Sequence, residues 1–178
     1  MAGIPIEKRF YLDETGACLN LSPLYGRSKR GQPVYDVKPT YSNGKINTIA
    51  VLTKEGIKAP YSYTTPLTAS IFIHYLDNCL IPVLTDGQTI IMDNLSVHTA
   101  KIVKGHLNKK GIKYLYLPAY SPELNPIEEA FSKIKNYIKK QKARTLDKLE
   151  SVIKDAFGVI TKNDASGYFN HAFEFSNL

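Results

Sequence analysis

The sequence predicts a single α/β domain built on a mixed five-stranded sheet, with a helical C-terminal third. Three observations predict it. Short apolar and β-branched runs fill the first third of the chain, apolar runs then alternate in strand and helix periods, and from Pro122 onward only helical spacing remains. At 178 residues the chain has the size of one domain, and no internal repeat, low-complexity tract or long linker divides residues 1–178.

The elements follow in order. "KRFYLDETGACLNLSPLYG" carries two short apolar runs around Glu14-Thr15-Gly16, which reads as a hairpin. "NGKINTIAVLTKEGIKAPYSY" adds a β-branched run, a Lys-Glu-Gly turn and another extended segment, so that three antiparallel strands are expected. Ile71, Tyr75, Leu76, Cys79 and Leu80 recur at helical spacing, and that helix should end near Pro82. "TIIMDN" is a short buried strand, "HTAKIVKGHLNKKG" a helix over 98–110 closed by Gly111, and "IKYLYLP" a further strand, completing a β-α-β unit. Helices are expected near 124–141, 146–160 and 164–174.

Composition excludes several function classes. No run approaches the roughly 20 apolar residues of a membrane span, and the N-terminus lacks a signal-like apolar stretch. Cys18 and Cys79 stand far apart without metal-ligand spacing and read as packing residues, which points to a cytoplasmic protein without disulfides. The net charge of +7 is concentrated in two segments, 27–45 with +4 and 101–144 with +8. Such basic segments are either solvated lysine-rich faces or the footprint of a polyanion, most often nucleic acid.

Two aspartates, Asp13 and Asp93, are each the first polar residue after an apolar run, where ligands of α/β folds bind. Alone, either reads first as an ordinary strand-end residue. A third carboxylate changes the reading. In "SPELNPIEEAFSKIK" the apolar stripe is Leu124, Ile127, Phe131, Ile134 and Ile138. At 100° per residue Glu128 falls about 40° from Leu124, at the border of that stripe, whereas Glu129 lies about 160° from Ile127 and faces solvent. Three carboxylates from two strand ends and a helix start make an oxygen-ligand cage suited to Mg²⁺ or Mn²⁺, which supports displacement at phosphorus with a pair of ions.

The blocks "FYLDETG", "IIMDNLSVH" and "LPAYSPELNPIEEAFSKIK" resemble the three catalytic blocks of DDE transposases of bacterial insertion sequences related to the mariner elements. The resemblance runs from about Lys8 through the last helices. It implies an RNase H-like fold, Asp13, Asp93 and Glu128 as catalytic metal-binding triad for two Mg²⁺ or Mn²⁺ ions, and DNA strand cleavage and strand transfer in transposition. The 34 residues between Asp93 and Glu128 are a spacing that this superfamily uses. The sequence departs from the family at Val97, where many relatives carry an aromatic residue, and at Phe131, where relatives often carry Trp.

The family's N-terminal helix-turn-helix modules are expected to be absent, since 12 residues precede Asp13. The partners expected are therefore double-stranded DNA at element ends and target, a separate N-terminal DNA-binding polypeptide, and a second copy of the chain as a homodimer. The expected location is the bacterial cytoplasm, on the nucleoid when DNA-bound. Two other readings stay open: an RNase H-like nuclease that only hydrolyses DNA, and an inactive transposase-derived DNA-binding remnant.

Further residues carry assigned roles. Asn94 is a candidate to orient Asp93 or bond a phosphate, or else a turn residue, and His98 is a candidate to donate to a metal-binding carboxylate or to a phosphate, or else a helix-start histidine with a local bond. Asn125 or Ser121 is expected to cap the helix that carries Glu128. Lys135 and Lys139 fall within about 20° of the Glu128 direction and are the DNA-backbone candidates of that helix. Arg27, Lys29 and Arg30 are the DNA-backbone candidates of a loop. Tyr114, Tyr116 and Tyr120 either stack on bases or, for the first two, pack half-buried in a strand.

Overall fold

The computed structural model describes residues 3–37, 39–40, 44–119 and 121–175, so Tyr120 lies outside the described residues. Strands β1 (Arg9–Cys18), β2 (Lys45–Thr53), β3 (Gly56–Tyr63), β4 (Thr89–Met92) and β5 (Lys113–Tyr116) form one sheet in the order β3-β2-β1-β4-β5. β1 and β3 flank β2 antiparallel, while β4 runs parallel to both β1 and β5. This is the mixed five-stranded sheet that the sequence predicts.

The expected hairpin at Glu14-Thr15-Gly16 is absent. β1 passes straight through it, paired from Tyr11↔Leu52 to Cys18↔Lys45. Gly16 is a strand residue without positive φ, and its lack of a side chain admits the Lys45 chain, whose Cε would clash with an added Cβ. The glycine thus marks a close approach across the ladder, not a turn. Asp13 consequently sits inside a strand and not at its end, whereas Asp93 directly follows β4 as expected. The turn between β2 and β3 falls at Lys54-Glu55, where Thr53 Oγ1 accepts from the Glu55 N–H and donates to the Gly56 carbonyl.

Helices cover both faces of the sheet. On one face α1 (Ala69–Tyr75), the short α2 (Ser96–Thr99) and α3 (Lys101–Lys109) pack over Phe10, Leu12, Ile49, Val51, Ile90 and Met92. On the other, α4 (Ile127–Gln141), α5 (Leu146–Phe157) and α6 (Lys162–Phe175) pack over Tyr11, Ile46, Ala50, Leu52 and Ile91. The two sets of strand residues alternate, as side chains of a pleated strand must. The stripe Ile127, Phe131, Ile134 and Ile138 is buried; truncating Phe131 alone would cost about 3–5 kcal/mol.

Helix ends follow their caps. Thr68 Oγ1 accepts from the Ile71 N–H at the start of α1, and Thr145 Oγ1 from the Lys148 N–H at the start of α5. Thr161 and Asp164 exchange backbone N–H bonds before α6, a reciprocal capping box. The helical run after α1 continues through a π turn, Leu76–Leu80, and a 3-10 turn, Ile81–Val83, that contains Pro82. The helix expected over 98–110 is broken at Ala100, which is extended at φ −57° and ψ 137°. The break frees the His98 carbonyl, which accepts the Tyr116 hydroxyl at 2.8 Å. Gly111, with φ +67°, ends the second piece as expected. Among the described residues no helix is long and apolar enough to cross a membrane.

Candidate active site

β1, β4 and the start of α4 converge on a cleft of about 420 Å³ whose lining includes Asp13, Asp93, Asn94, Asn125 and Glu128. The three carboxylates arrive from different parts of the chain. Asp13 shares the strand face of Tyr11 and looks toward the α4 layer, Asp93 follows the parallel strand next to it, and Glu128 is exposed in the first turn of α4. The wheel placed Glu128 at the border of the apolar stripe, and its position on the cleft agrees. Among the described residues, however, no three His, Cys, Asp or Glu side chains are drawn together closely enough to form a finished metal cage. The three acids line one cleft without forming a closed cluster.

Asp13 is only 8% exposed. Its Oδ1 accepts the Glu14 N–H at 2.7 Å and its Oδ2 accepts Asn125 Nδ2 at 2.9 Å. Burial raises its pKa to about 7, against the lowering effect of the Glu14 N–H and with the added push of the Glu128, Glu14 and Asp93 charges. Asn125 does not cap α4, and neither does Ser121: the helix has no side-chain cap, and the Glu128 N–H bonds the Asn125 carbonyl instead. The Asn125 side chain is spent on Asp13, leaving its own buried Oδ1 without a protein partner.

Asp93 behaves oppositely. Its Oδ1 accepts both His98 Nδ1–H at 2.8 Å and the Leu95 N–H at 3.0 Å, and the His98 bond leads in holding its pKa below the usual carboxylate value. The His98 ring is fully buried, and its Nε2 lies 2.8 Å from Glu14 Oε1. Burial opposes protonation of this ring, but the bonds to Asp93 and Glu14 outweigh it and raise its pKa to about 9. With a carboxylate oxygen 2.8 Å from each ring nitrogen, the geometry accommodates a ring that donates at both, the imidazolium form.

Sequence reasoning missed Glu14, and the signal was available: a residue next to Asp13 in a strand read as continuous must point to the opposite face. Asn94 lines the cleft, but its side-chain amide is not directed at Asp93. Its Nδ2 donates to the Leu117 carbonyl at 2.6 Å, joining the segment after β4 to the segment after β5. Glu129 is half-buried, not free in solvent, and its Oε1 accepts from His171 Nδ1 at 2.7 Å.

The basic candidates lie apart from the acids in two groups. Lys135 and Lys139 are half-buried along α4 and make no ion pair with a described residue, whereas Lys133 is engaged by Asp164 at 2.7 Å. Arg27, Lys29 and Arg30 are exposed in the long connection between β1 and β2. Tyr114 and Tyr116 are half-buried and stand edge to face, their centroids 5.6 Å apart.

A mixed sheet of this order, with carboxylates on its central strand, beside its parallel neighbour and on the helix that crosses its face, defines an RNase H-like α/β domain. The solved structures it resembles have that fold. They include Mos1 transposase in a paired-end complex with the left transposon end, at TM-score 0.80 and 17% identity over 95% of this chain and 53% of that one. The Mos1 mariner paired end complex with Mn gives TM-score 0.79 and 16% identity over 97% and 54%. The catalytic domain of Mos1 mariner transposase gives 0.67 and 14% over 95% and 78%. This chain spans about half the length of the Mos1 chains in the two complexes. Residues 8–150 match the DDE superfamily endonuclease domain, and the chain belongs to that superfamily. No curated protein matches the sequence significantly.

Proposed function

We propose that this chain is the catalytic domain of a transposase that cuts DNA at element ends and joins the freed 3′-hydroxyl to target DNA. The observation that carries the reading is the approach of Asp13, Asp93 and Glu128 to one cleft from β1, β4 and α4. Membership of the endonuclease superfamily supports the reaction class. The Mos1 complexes, which contain transposon ends and Mn or Mg, support DNA as substrate and a divalent cation as cofactor.

The donor set fits such a cation. All three side chains offer carboxylate oxygens, the preference of Mg²⁺ and Mn²⁺, and all three line one cleft. Asp13, Asp93 and Glu128 would hold two ions, which when bound activate the attacking water or hydroxyl and stabilise the leaving oxygen. The protein's own part is orientation. Asn125 holds Asp13 by Oδ2, while His98 and the Leu95 N–H hold Asp93 by Oδ1 and leave Oδ2 for the cleft.

Lys135, Lys139, Arg27, Lys29 and Arg30 are the residues for the DNA backbone, and contacts of that kind supply attraction without base readout. Recognition of particular ends we therefore assign to a separate N-terminal DNA-binding polypeptide, with a homodimer as the assembly that brings two ends together. The place of action is the bacterial cytoplasm, on nucleoid DNA.

The experiment is a Mn²⁺-dependent assay with a pre-nicked element end and a target plasmid. Covalent joints between the 3′-end and the target support the transposase. Nicks without joints would replace it with a hydrolytic nuclease, and neither product with a non-catalytic DNA-binding remnant.

A further inference from the structure

The Glu14 side chain does not line the cleft, because β1 turns it to the opposite face from Asp13. There it meets His98 within the layer under α1. The imidazole spans two strands: Nε2 lies 2.8 Å from Glu14 Oε1 on β1, and Nδ1 lies 2.8 Å from Asp93 Oδ1 just past β4. The ring is fully buried, tilted against Phe72 at 4.7 Å between centroids, and its residue's carbonyl is held by the Tyr116 hydroxyl at 2.8 Å. An aromatic ring has no internal torsion, so fixing one nitrogen and the ring plane fixes the other nitrogen. Without His98 the Asp93 carboxylate would keep only the Leu95 N–H and would be free to turn about its Cβ–Cγ bond.

We propose that Glu14 is a positioning residue which, through His98, locks the Asp93 carboxylate to the strand that carries Asp13 and thereby sets the affinity of the cleft for a divalent cation. This rests on the reading of Asp13, Asp93 and Glu128 as the cation's ligands. Asp13 and Glu14 are consecutive residues on opposite faces of β1, so a single strand supports one aspartate directly and holds the other through the imidazole. Partners one step removed from a metal are worth about 10–100-fold in metal affinity in comparable sites.

The test is a Mn²⁺ titration of the full chain, followed by electron paramagnetic resonance of free Mn²⁺, with near-ultraviolet circular dichroism as the control for folding. Glu14→Met keeps the length of the side chain but has no acceptor for the ring, and is expected to raise the Mn²⁺ Kd about 10–100-fold. Glu14→Gln, whose amide oxygen still accepts from Nε2–H, should recover most of that loss. Adding Glu14→Met to His98→Asn should weaken binding no further, because both act on one strut. Glu14→Ala serves in place of Glu14→Met if the longer side chain perturbs packing.

Wild-type affinity in both Glu14→Met and Glu14→Ala overturns the proposal, as does an equal further loss when Glu14→Met is added to His98→Asn. Asp93→Asn separates the two readings. If it binds Mn²⁺ like wild type, the assignment of the ligands falls and the strut with it. If it binds weakly while Glu14→Met matches wild type, only the strut falls.

Discussion

Asn125 donates to Asp13 at 2.9 Å across 112 residues of sequence, and both side chains are buried. The loop before α4 is thereby fastened to the centre of the sheet by one amide. Asn125→Asp should exchange that donor for a second carboxylate against a buried one. It is expected to be less stable at neutral pH than Asn125→Ala, which forfeits the bond, at about 1–3 kcal/mol, but adds no charge. Urea unfolding of the two variants at pH 7 checks the order.

Asp13→Ala, Asp93→Ala and Glu128→Ala should each abolish DNA cleavage while the protein remains folded, since each removes one oxygen ligand from a small set. Glu129→Ala should retain most activity, because its carboxylate is engaged by His171 away from the cleft. Activity in Glu128→Ala combined with a dead Glu129→Ala would reverse the assignment.

Divalent cations should stabilise the folded chain. Burial, together with the charges of Glu128, Glu14 and Asp93, makes the ionised form of Asp13 costly, and a bound cation offsets that cost. Thermal unfolding should shift upward with millimolar Mg²⁺ or Mn²⁺, and Asp93→Ala should lose the shift. An equal gain in that variant would place the ion elsewhere.

Asp164 predicts part of the acid limb of stability. The Lys133 ammonium first, then the Thr161 hydroxyl and N–H, depress its pKa from 3.8 to about 2. A carboxyl with a depressed folded-state pKa stabilises fully above its unfolded value and loses that contribution as pH falls through the folded one. The loss therefore falls between pH 3.8 and about 2. Asp164→Asn should flatten the urea midpoint over that window while lowering it at neutral pH.

Lys135 and Lys139 follow Glu128 by two and three helical turns, about 10 and 16 Å along α4. Replacing both with Gln should weaken duplex binding regardless of base sequence and reduce the slope of log affinity against log salt. An unchanged salt slope would remove α4 from the DNA path.

The fold was legible wherever periodicity was clean. The stripe of α4 located Glu128 beside the buried face, and the apolar run "TIIM" located Asp93. Gly16 misled because a glycine needed for close approach looks the same in a sequence as one needed for a turn. That single misreading hid Glu14, since alternation along β1 becomes visible only when the strand is read through. The His98 partnership with Glu14 crosses 84 residues and follows from strand pairing, which local spacing does not encode. Asn125 was misassigned because a side chain ahead of a helix can serve its own backbone or a distant group, and only tertiary packing decides between them.

The unbroken course of β1 also divides the cleft into two kinds of ground. Asp13 rides on the central strand, paired with Ala50 of β2 and only 8% exposed. Glu128 stands exposed at the start of α4, one residue beyond the fully buried Ile127. The cleft thus has a deep wall and an open rim, and a large substrate meets the glutamate before it reaches the strand.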